Sequence, residues 1–179
     1  TSKNTVLYIQ MEIPIVLFRE RIKLYCDGSI IPDNLYFVNE PYLKLDKDIG
    51  LHKLKTVLDL LHPSVLIIDP LYKVLSGNIS EHQPVEHLQS NVDKLREDYS
   101  MAIVIIAHTR QRILGPDGQY VDSGADELMG SSNWPNWADS IVKITRDGKF
   151  SPYISFECQK LRNAAEKIHP IRAEIMKNL

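Results

Sequence analysis

Two acidic residues and one histidine each follow or end a short apolar segment of the sequence. Glu12 follows residues 5–11, Asp69 ends residues 64–69, and His108 follows residues 102–107. If these segments are parallel strands, their carboxyl ends meet at one edge of a sheet, where open α/β sheets bind ligands. Two carboxylates and an imidazole at such an edge predict a site for a metal-phosphate ligand.

Each of the three residues also has a simpler interpretation. Asp69 ends four apolar residues, which is the form of a Walker B strand whose fixed carboxylate holds a Mg²⁺-bound water; it could equally mark only the boundary between strand and loop. Glu12 lies just before a predicted helix, so its carboxylate could orient an attacking water or could only compensate the helix dipole. His108, taken alone, is better explained as a structural histidine.

The segments around these residues alternate between continuous apolar runs and stretches in which apolar residues recur with a helical period. Residues 14–26 begin with a proline, which suits a first helical turn, and two further stretches repeat apolar residues every three or four positions. Continuous apolar runs are typical of strands covered on both faces. The alternation predicts a mainly parallel sheet with right-handed crossovers. The predicted strands are residues 5–11, 34–39, 64–69 and 102–107, and the helical periods are carried by Leu54, Val57, Leu58, Leu61, Val85, Leu88, Val92 and Leu95.

The pattern changes after His108. Residues 109–124 contain three glycines and a proline and exceed the usual connection of about two to six residues in α/β units, so we predict a long, mobile, functional loop. Residues 140–145 and 153–158 are predicted strands joined around the turn signal Asp147-Gly148. Residues 171–176 are a candidate last edge strand.

The composition is that of an ordinary globular protein. At about 150 residues per domain, 179 residues with 44% hydrophobic and 25% charged residues predict one domain over residues 1–179. The longest apolar stretch, residues 101–107, is far below the roughly 18 residues of a membrane span, so no membrane partner is expected. Two cysteines predict a reducing compartment, the cytoplasm. A net charge of −2 confines any nucleic-acid contact to a local patch.

Several active-site motifs are absent from the sequence. It contains no GxxxxGK[ST], the loop whose backbone and lysine hold nucleotide phosphates, and no GxGxxG dinucleotide fingerprint. It also contains no CxxC or HExxH zinc motif and no GxSxG nucleophile elbow. Dinucleotide, zinc and serine-hydrolase chemistry therefore have no motif here.

Six short segments, taken in order, resemble those of the RecA-like ATPases, in the branch that contains the DnaB-type replicative helicases and the RepA-like plasmid helicases. The resemblance spans roughly residues 5–165, which is most of the chain. The resemblance implies a RecA-like three-layer α/β fold with a mainly parallel sheet and an antiparallel C-terminal strand extension. The segments are residues 6–14 (VLYIQMEIP), 65–70 (VLIIDP), 103–111 (IVIIAHTRQ), 130–132 (GSS), 138–142 (ADSIV) and 159–163 (QKLRN).

The same resemblance implies roles for residues near the predicted nucleotide. Glu12 is similar to the catalytic base, Asp69 to the Walker B carboxylate that holds Mg²⁺ through water, and His108 to the polar sensor of the γ-phosphate. Gln111 lies near a position where RepA-like proteins often have lysine and is expected to contact the nucleotide.

Further resemblance concerns partners. Lys160 and Arg162 are similar to a Lys-x-Arg-Asn element whose arginine reaches a neighbouring subunit's nucleotide. This resemblance implies a homo-oligomeric ring, a hexamer, in the parent protein. The two residues could also be a solvated charge pair beyond a strand end. Arg110 and Arg112, in the loop of residues 109–124, are expected to meet phosphates of DNA, single-stranded in this family. The alternative is a surface loop that happens to carry two arginines.

The family's phosphate-binding loop precedes the strand that ends at Glu12, and this sequence begins on that strand. We therefore expect Thr1 to begin a fragment whose parent protein carries the loop upstream and uses ATP and Mg²⁺, whereas the fragment itself requires no cofactor and is inactive. The leading hypothesis is the ATPase domain of a DNA-acting motor or helicase in replication, recombination or a mobile element. The alternatives are a non-catalytic RecA-like scaffold that binds DNA or protein, and a kinase-like or clock-type ATPase of the same superfamily.

Overall fold

The computed structural model describes residues 4–26, 30–78, 81–108, 133–148, 150–162 and 168–176. The chain divides into two units, Thr1–Thr109 and Arg110–Leu179. The first unit contains β1 (Val6–Gln10), α1 (Ile15–Tyr25), β2 (Leu35–Asn39), α2 (Asp48–Leu61), β3 (Val65–Asp69), a 3₁₀ helix (Leu71–Val74), α3 (His82–Tyr99) and β4 (Ala102–Ile105). The second contains α4 (Asn133–Trp137), β5 (Ser140–Arg146), β6 (Tyr153–Leu161) and β7 (Ile171–Glu174).

The first unit is built on a four-stranded parallel sheet of order β2-β1-β3-β4. The connection from β1 runs outward to β2, whereas those from β2 and β3 run in the opposite direction. Because such crossovers are right-handed, α1 lies on one face of the sheet and α2 and α3 on the other. Helices therefore cover both faces, as the continuous apolar runs predicted.

The core of this unit lies on the face that α2 and α3 cover. Leu7 pairs in register with Leu66 and Ile9 with Ile68, and none of these four side chains is more than 1% exposed. The two helices lie side by side, since the Tyr99 hydroxyl of α3 donates to Asp59 of α2 over 2.6 Å. Most side chains that the helical period predicted are buried, whereas Val57 and Leu61 are half-buried. The buried ones are Leu54, Leu58, Val85, Leu88, Val92 and Leu95.

The opposite face carries an aromatic cluster. Tyr8 on β1 and Phe37 on β2 pair in register, and Phe18 is the buried residue of α1. The ring centroids of Phe18 and Phe37 are 5.3 Å apart in an edge-to-face arrangement, and the Tyr8 ring lies 6.0 Å from Phe18. Such aromatic pairs add to the free energy of burial and fix α1 against the sheet.

The second unit is a three-stranded antiparallel sheet of order β5-β6-β7. The hairpin between β5 and β6 turns around Asp147 and Gly148, as the sequence predicted, with a register shift between Ile141 and Val142. The last strand pairs with β6 at the edge of the sheet.

These two sheets confirm the predicted fold class, a mainly parallel sheet followed by antiparallel C-terminal strands. The observed strand ends differ from the predicted ones by one or two residues in the first unit, which is the usual uncertainty of helix and strand boundaries. The 3₁₀ helix and α4 were not predicted from the sequence. The predicted loop of residues 109–124 lies outside the described residues. Within the described residues, no helix is long and apolar enough to cross a membrane.

Candidate functional site

The candidate site lies where the direction of the strand connections reverses, between β1 and β3. In parallel sheets this switch point opens a crevice beyond the carboxyl ends of the strands. The register places Gln10 beside both Asn39 and Asp69, so the last residues of β2, β1 and β3 are level. Glu12 follows two residues later.

Asp69 is the last residue of β3, and Tyr8 reaches it from the neighbouring strand. The Tyr8 hydroxyl donates a hydrogen bond to Asp69 Oδ2. Burial, and then the bond to Asp69, raise the pKa of the Tyr8 hydroxyl above its ordinary value, so at neutral pH this group is a proton donor. The bond uses one of the roughly four lone-pair sites of the carboxylate and leaves the others for further donors, such as a metal-bound water.

Glu12 lies between two ring side chains. The Tyr72 hydroxyl donates to Glu12 Oε1, and His108 Nε2 lies 3.7 Å from Glu12 Oε2. The two rings are themselves neighbours, with centroids 6.1 Å apart. The hydrogen bond to Glu12, together with a smaller effect of burial, raises the pKa of Tyr72. Glu12 therefore has neighbours from two other strand ends.

Backbone hydrogen bonds extend beyond the strands and fix the three segments that bear these side chains. Met11 N donates to Asp69 O over 3.0 Å, which holds the residue before Glu12 against the end of β3. Leu71 N donates to Ile106 O over 2.8 Å, which ties the residue before Tyr72 to the segment that leads to His108. The peptide bond between Asp69 and Pro70 is cis.

A polar pair supports the turn in which Glu12 lies. Gln10 is only 1% exposed, and its Oε1 accepts a hydrogen bond of 2.6 Å from Asn39 Nδ2. The same nitrogen donates to the Ile13 carbonyl over 3.0 Å. A buried amide needs such partners, and here they join the ends of β1 and β2 to the start of α1.

The 3₁₀ helix that carries Tyr72 is held by Lys44. Lys44 Nζ donates to the carbonyl oxygens of Lys73 and Leu75 over 2.6 and 2.7 Å. Burial lowers the pKa of this ammonium group. At Gly50, in the first turn of α2, an added Cβ would lie 1.9 Å from the Lys44 carbonyl oxygen, so only glycine fits beside this segment.

Lys160 and Arg162 lie in the second unit, at the end of β6. Lys160 Nζ donates to the carbonyl oxygens of Pro135 and Asn136 over 2.7 and 3.1 Å. Arg162 donates to the Asn136 carbonyl over 3.1 Å and pairs with the Asp139 carboxylate at 2.9 Å. Within the chain, both cations are thus bound to carbonyl groups of α4, and their action on a neighbouring subunit stays a prediction.

The structure brings together Glu12, Asp69 and His108 at one edge, as their positions after predicted strands required. Arg110, Gln111 and Arg112 lie outside the described residues. Tyr8 and Tyr72 were not among the predicted site residues. Tyr72 follows Asp69 by three residues, and a hydroxyl so close to a strand-end carboxylate was the available signal.

A cation at this edge would have to share its ligands with a bound molecule. Among the described residues, no three histidine, cysteine or acidic side chains form a metal-ligand group. Mg²⁺ commonly keeps several waters and takes one or two carboxylates together with substrate phosphates. Asp69, with one oxygen bound to Tyr8, fits a contact through water.

The chain is similar to known proteins in sequence and in fold. A family described as an AAA domain matches residues 1–112, well over half of the chain. The chain belongs to the AAA domain family. The match ends shortly after His108, so it covers every element of the first unit.

Solved structures with the same fold extend the similarity of this AAA domain to both units. An ATPase domain aligns with 94% of the chain at 10% identity, with a TM-score of 0.67 and 70% of its own length covered. A DnaB-like replicative helicase, studied with primase, aligns with 97% of the chain at 12% identity and a TM-score of 0.68. The chain spans 50% of that helicase.

A third structure is a KaiC-like protein from the hyperthermophilic archaeon Pyrococcus horikoshii OT3. It aligns with 98% of the chain at 10% identity, with a TM-score of 0.60 and 73% of its own length covered. No curated protein matches the chain. The AAA domain thus shares the RecA-like α/β fold of these structures.

Proposed function

We propose that this AAA domain hydrolyses ATP within a DNA-acting, ring-forming motor of the cytoplasm. The observation that carries the proposal is the convergence of Glu12 and Asp69 at the switch point between β1 and β3, each held by a tyrosine hydroxyl. Such an arrangement suits phosphoryl transfer, which depends on positioned charges more than on covalent chemistry. We further propose that both units, residues 1–179, make up one RecA-like core domain.

In this proposal Asp69 holds a water of Mg²⁺, and Glu12 orients and deprotonates the attacking water. The bound Mg²⁺ would neutralise charge on the β- and γ-phosphates. His108, beside Glu12, lies where it can report the presence of the γ-phosphate to the segment that follows it. A phosphate-binding loop and Gln111 would complete the nucleotide site.

Assembly and the DNA contact complete the proposal. Lys160 and Arg162 would act on the nucleotide of an adjacent subunit in a hexameric ring. Their present partners, carbonyl oxygens and one exposed carboxylate, leave both side chains near the surface of the second unit. Exposed ion pairs of this kind cost little to exchange for a new anionic partner.

Substitution of the two carboxylates in the natural full-length protein tests the catalytic proposal. Glu12→Gln should lower kcat for ATP hydrolysis by about 10²- to 10⁴-fold and leave nucleotide affinity nearly unchanged, because Glu12 acts on water. Asp69→Asn should also weaken binding of Mg²⁺-ATP. Asp59→Asn is the matched control, since Asp59 also accepts a tyrosine hydrogen bond but lies between α2 and α3. Normal turnover with Glu12→Gln would refute the role of Glu12, and unfolding would favour the helix-dipole interpretation.

Replacement of Arg110 and Arg112 by alanine tests the DNA contact. Each lost phosphate contact should reduce the slope of log K against log salt by about one unit, so the double variant should bind single-stranded DNA more weakly and with a shallower slope. ATP hydrolysis without DNA should not change. An unaltered affinity and slope would exclude these arginines from DNA binding.

A second candidate is a RecA-like scaffold without catalysis. The 179 residues contain no GxxxxGK[ST], so by themselves they lack the means to hold the β- and γ-phosphates in line with Glu12. Both proposals therefore expect no ATP turnover by this chain alone. They differ for the natural full-length protein, where only the motor hydrolyses ATP in a phosphate-release assay that Asp69→Asn abolishes.

A further inference from the structure

We propose that Tyr72 is a positioning residue for Glu12 and orients its carboxylate toward the attacking water. The inference rests on the proposed function and adds a residue to it. Tyr72 would not touch nucleotide, metal or water; it acts only through Glu12.

The first argument is the way in which Glu12 is held. Its side chain leaves a turn between β1 and α1, and a glutamate there has three rotatable bonds and 35% side-chain exposure. Left alone, such a carboxylate would sample many orientations. The Tyr72 hydroxyl on Oε1 and the His108 ring beside Oε2 restrict it from two sides.

The second argument is that Tyr72 is itself firmly placed. It lies in the 3₁₀ helix whose carbonyl oxygens Lys44 binds on the C-terminal side, while Leu71 N bonds to Ile106 O on the other. Its ring also lies under Lys73 Nζ, 5.5 Å from the centroid. A hydroxyl supported in this way can direct a carboxylate rather than follow it.

The third argument is the reciprocity of the two tyrosine bonds. Tyr8, on β1, donates to Asp69 at the end of β3, and Tyr72, beyond β3, donates to Glu12 beyond β1. The two strands that border the switch point thus each hold the other's carboxylate. Both phenols are protonated at neutral pH, because the ordinary pKa of tyrosine is about 10, and both therefore donate. Tyr72 therefore takes up one lone pair of Glu12 Oε1 and leaves the remaining ones for water.

A double-mutant cycle in the natural full-length protein tests the proposal. Tyr72→Phe removes only the hydroxyl, and it should lower kcat for ATP hydrolysis by about 10- to 100-fold, the loss expected from a misplaced catalytic group, with nucleotide affinity unchanged. In the Glu12→Gln background the same substitution should cause no further loss, because the two residues act as one unit. Tyr99→Phe, which removes an equivalent bond to Asp59, is the control and should leave kcat unchanged.

Three outcomes decide the matter. A loss of kcat from Tyr72→Phe only where Glu12 is present supports the positioning role. An equal loss in both backgrounds, or an unchanged kcat, overturns it while the role of Glu12 stands. Absence of ATP hydrolysis by the natural protein overturns the proposed function and this inference with it.

A titration of the 179-residue chain tests the contact without any need for catalysis. With tyrosines labelled with ¹³C at Cζ, Glu12→Ala should lower the pKa of Tyr72 toward its ordinary value and leave that of Tyr99 raised to about 12. Asp59→Ala should do the reverse. If Glu12→Ala leaves the pKa of Tyr72 unchanged, the hydrogen bond does not form in solution and the proposal is wrong.

Discussion

The two units of this AAA domain fix their candidate functional groups by different means. In the parallel sheet, Leu66 and Ile68 are fully buried just before Asp69, so a packed core determines where the carboxylate lies. In the antiparallel sheet, Val142 and Ile144 are 56% and 60% exposed. There Lys160 and Arg162 are placed by hydrogen bonds to carbonyl groups and by an exposed ion pair.

In the proposed function, the acids and the cations need different rigidity. An acid that must align a water or a metal benefits from a scaffold that does not yield, and close-packed cores supply one. A cation that is proposed to reach an adjacent subunit must exchange one anionic partner for another. Exposed hydrogen bonds allow this exchange because water replaces them at little cost.

The largest expected effect is on stability, and it compares the packing of the two sheets. Leu66→Ala should lower the free energy of unfolding by about 2–5 kcal/mol, since it opens a cavity in the core. Val142→Ala, a truncation of a half-exposed residue in the other sheet, should cost less than about 1 kcal/mol. Urea unfolding followed by circular dichroism measures both. Equal losses of unfolding free energy in the two variants would show that β5 is as tightly packed as β3, and would contradict the difference between the two sheets.

A smaller effect concerns the hydrogen bond between Tyr8 and Asp69. Tyr8→Phe should cost about 1.5–3 kcal/mol at pH 8, the range of hydrogen bonds to charged groups. The pKa of Tyr8 is raised on folding, so its stabilisation is complete below the ordinary tyrosine pKa of about 10 and is lost as the pH rises through the folded value.

The difference in stability between wild type and Tyr8→Phe should therefore narrow from pH 8 to pH 10.5. Urea midpoints at the two pH values measure it. Tyr99→Phe should show the same narrowing, because the hydrogen bond to Asp59 likewise raises the pKa of Tyr99, to about 12. If the difference in stability between wild type and Tyr8→Phe increases with pH instead, Tyr8 does not act as a protonated donor to Asp69.

The smallest effect is expected in the second unit. Asp139→Asn removes the partner of Arg162 in an ion pair whose two side chains are 51% and 52% exposed. The cost should be below about 1 kcal/mol and should vanish in 1 M salt, which screens exposed charges. Urea unfolding at 0.05 and 1 M NaCl tests this. A loss above about 2 kcal/mol would show that the cation is as rigidly held as the acids.

Much of the fold follows from local patterns in the sequence. The helical period placed Leu88 and Val92 on the buried face of α3. The continuous apolar run before Asp69 identified β3 as a strand covered on both faces. The hairpin around Asp147 was predicted from its turn residues. These features depend on neighbours a few positions apart, and for that reason a single sequence reveals them.

The candidate site was predicted only in part. Glu12, Asp69 and His108 were predicted because each ends or follows a strand, and the structure places them at one edge of the sheet. Their tyrosine partners were missed, because the contact between Tyr8 and Asp69 joins residues 61 positions apart and that between Tyr72 and Glu12 joins residues 60 positions apart. The local pattern of apolar residues does not predict a contact between residues so far apart in the sequence.

The sequence by itself determined the order of strands and helices, the buried faces and the three strand-end groups, since hydrophobic period and chain direction are local properties. The tertiary structure alone decided that β1 lies between β2 and β3, and therefore which side chains meet at the switch point. It also decided that Lys160 and Arg162 bind carbonyl groups of α4. The physical reason is that hydrogen bonds between side chains depend on distances of a few ångströms, which are set only when distant segments have packed.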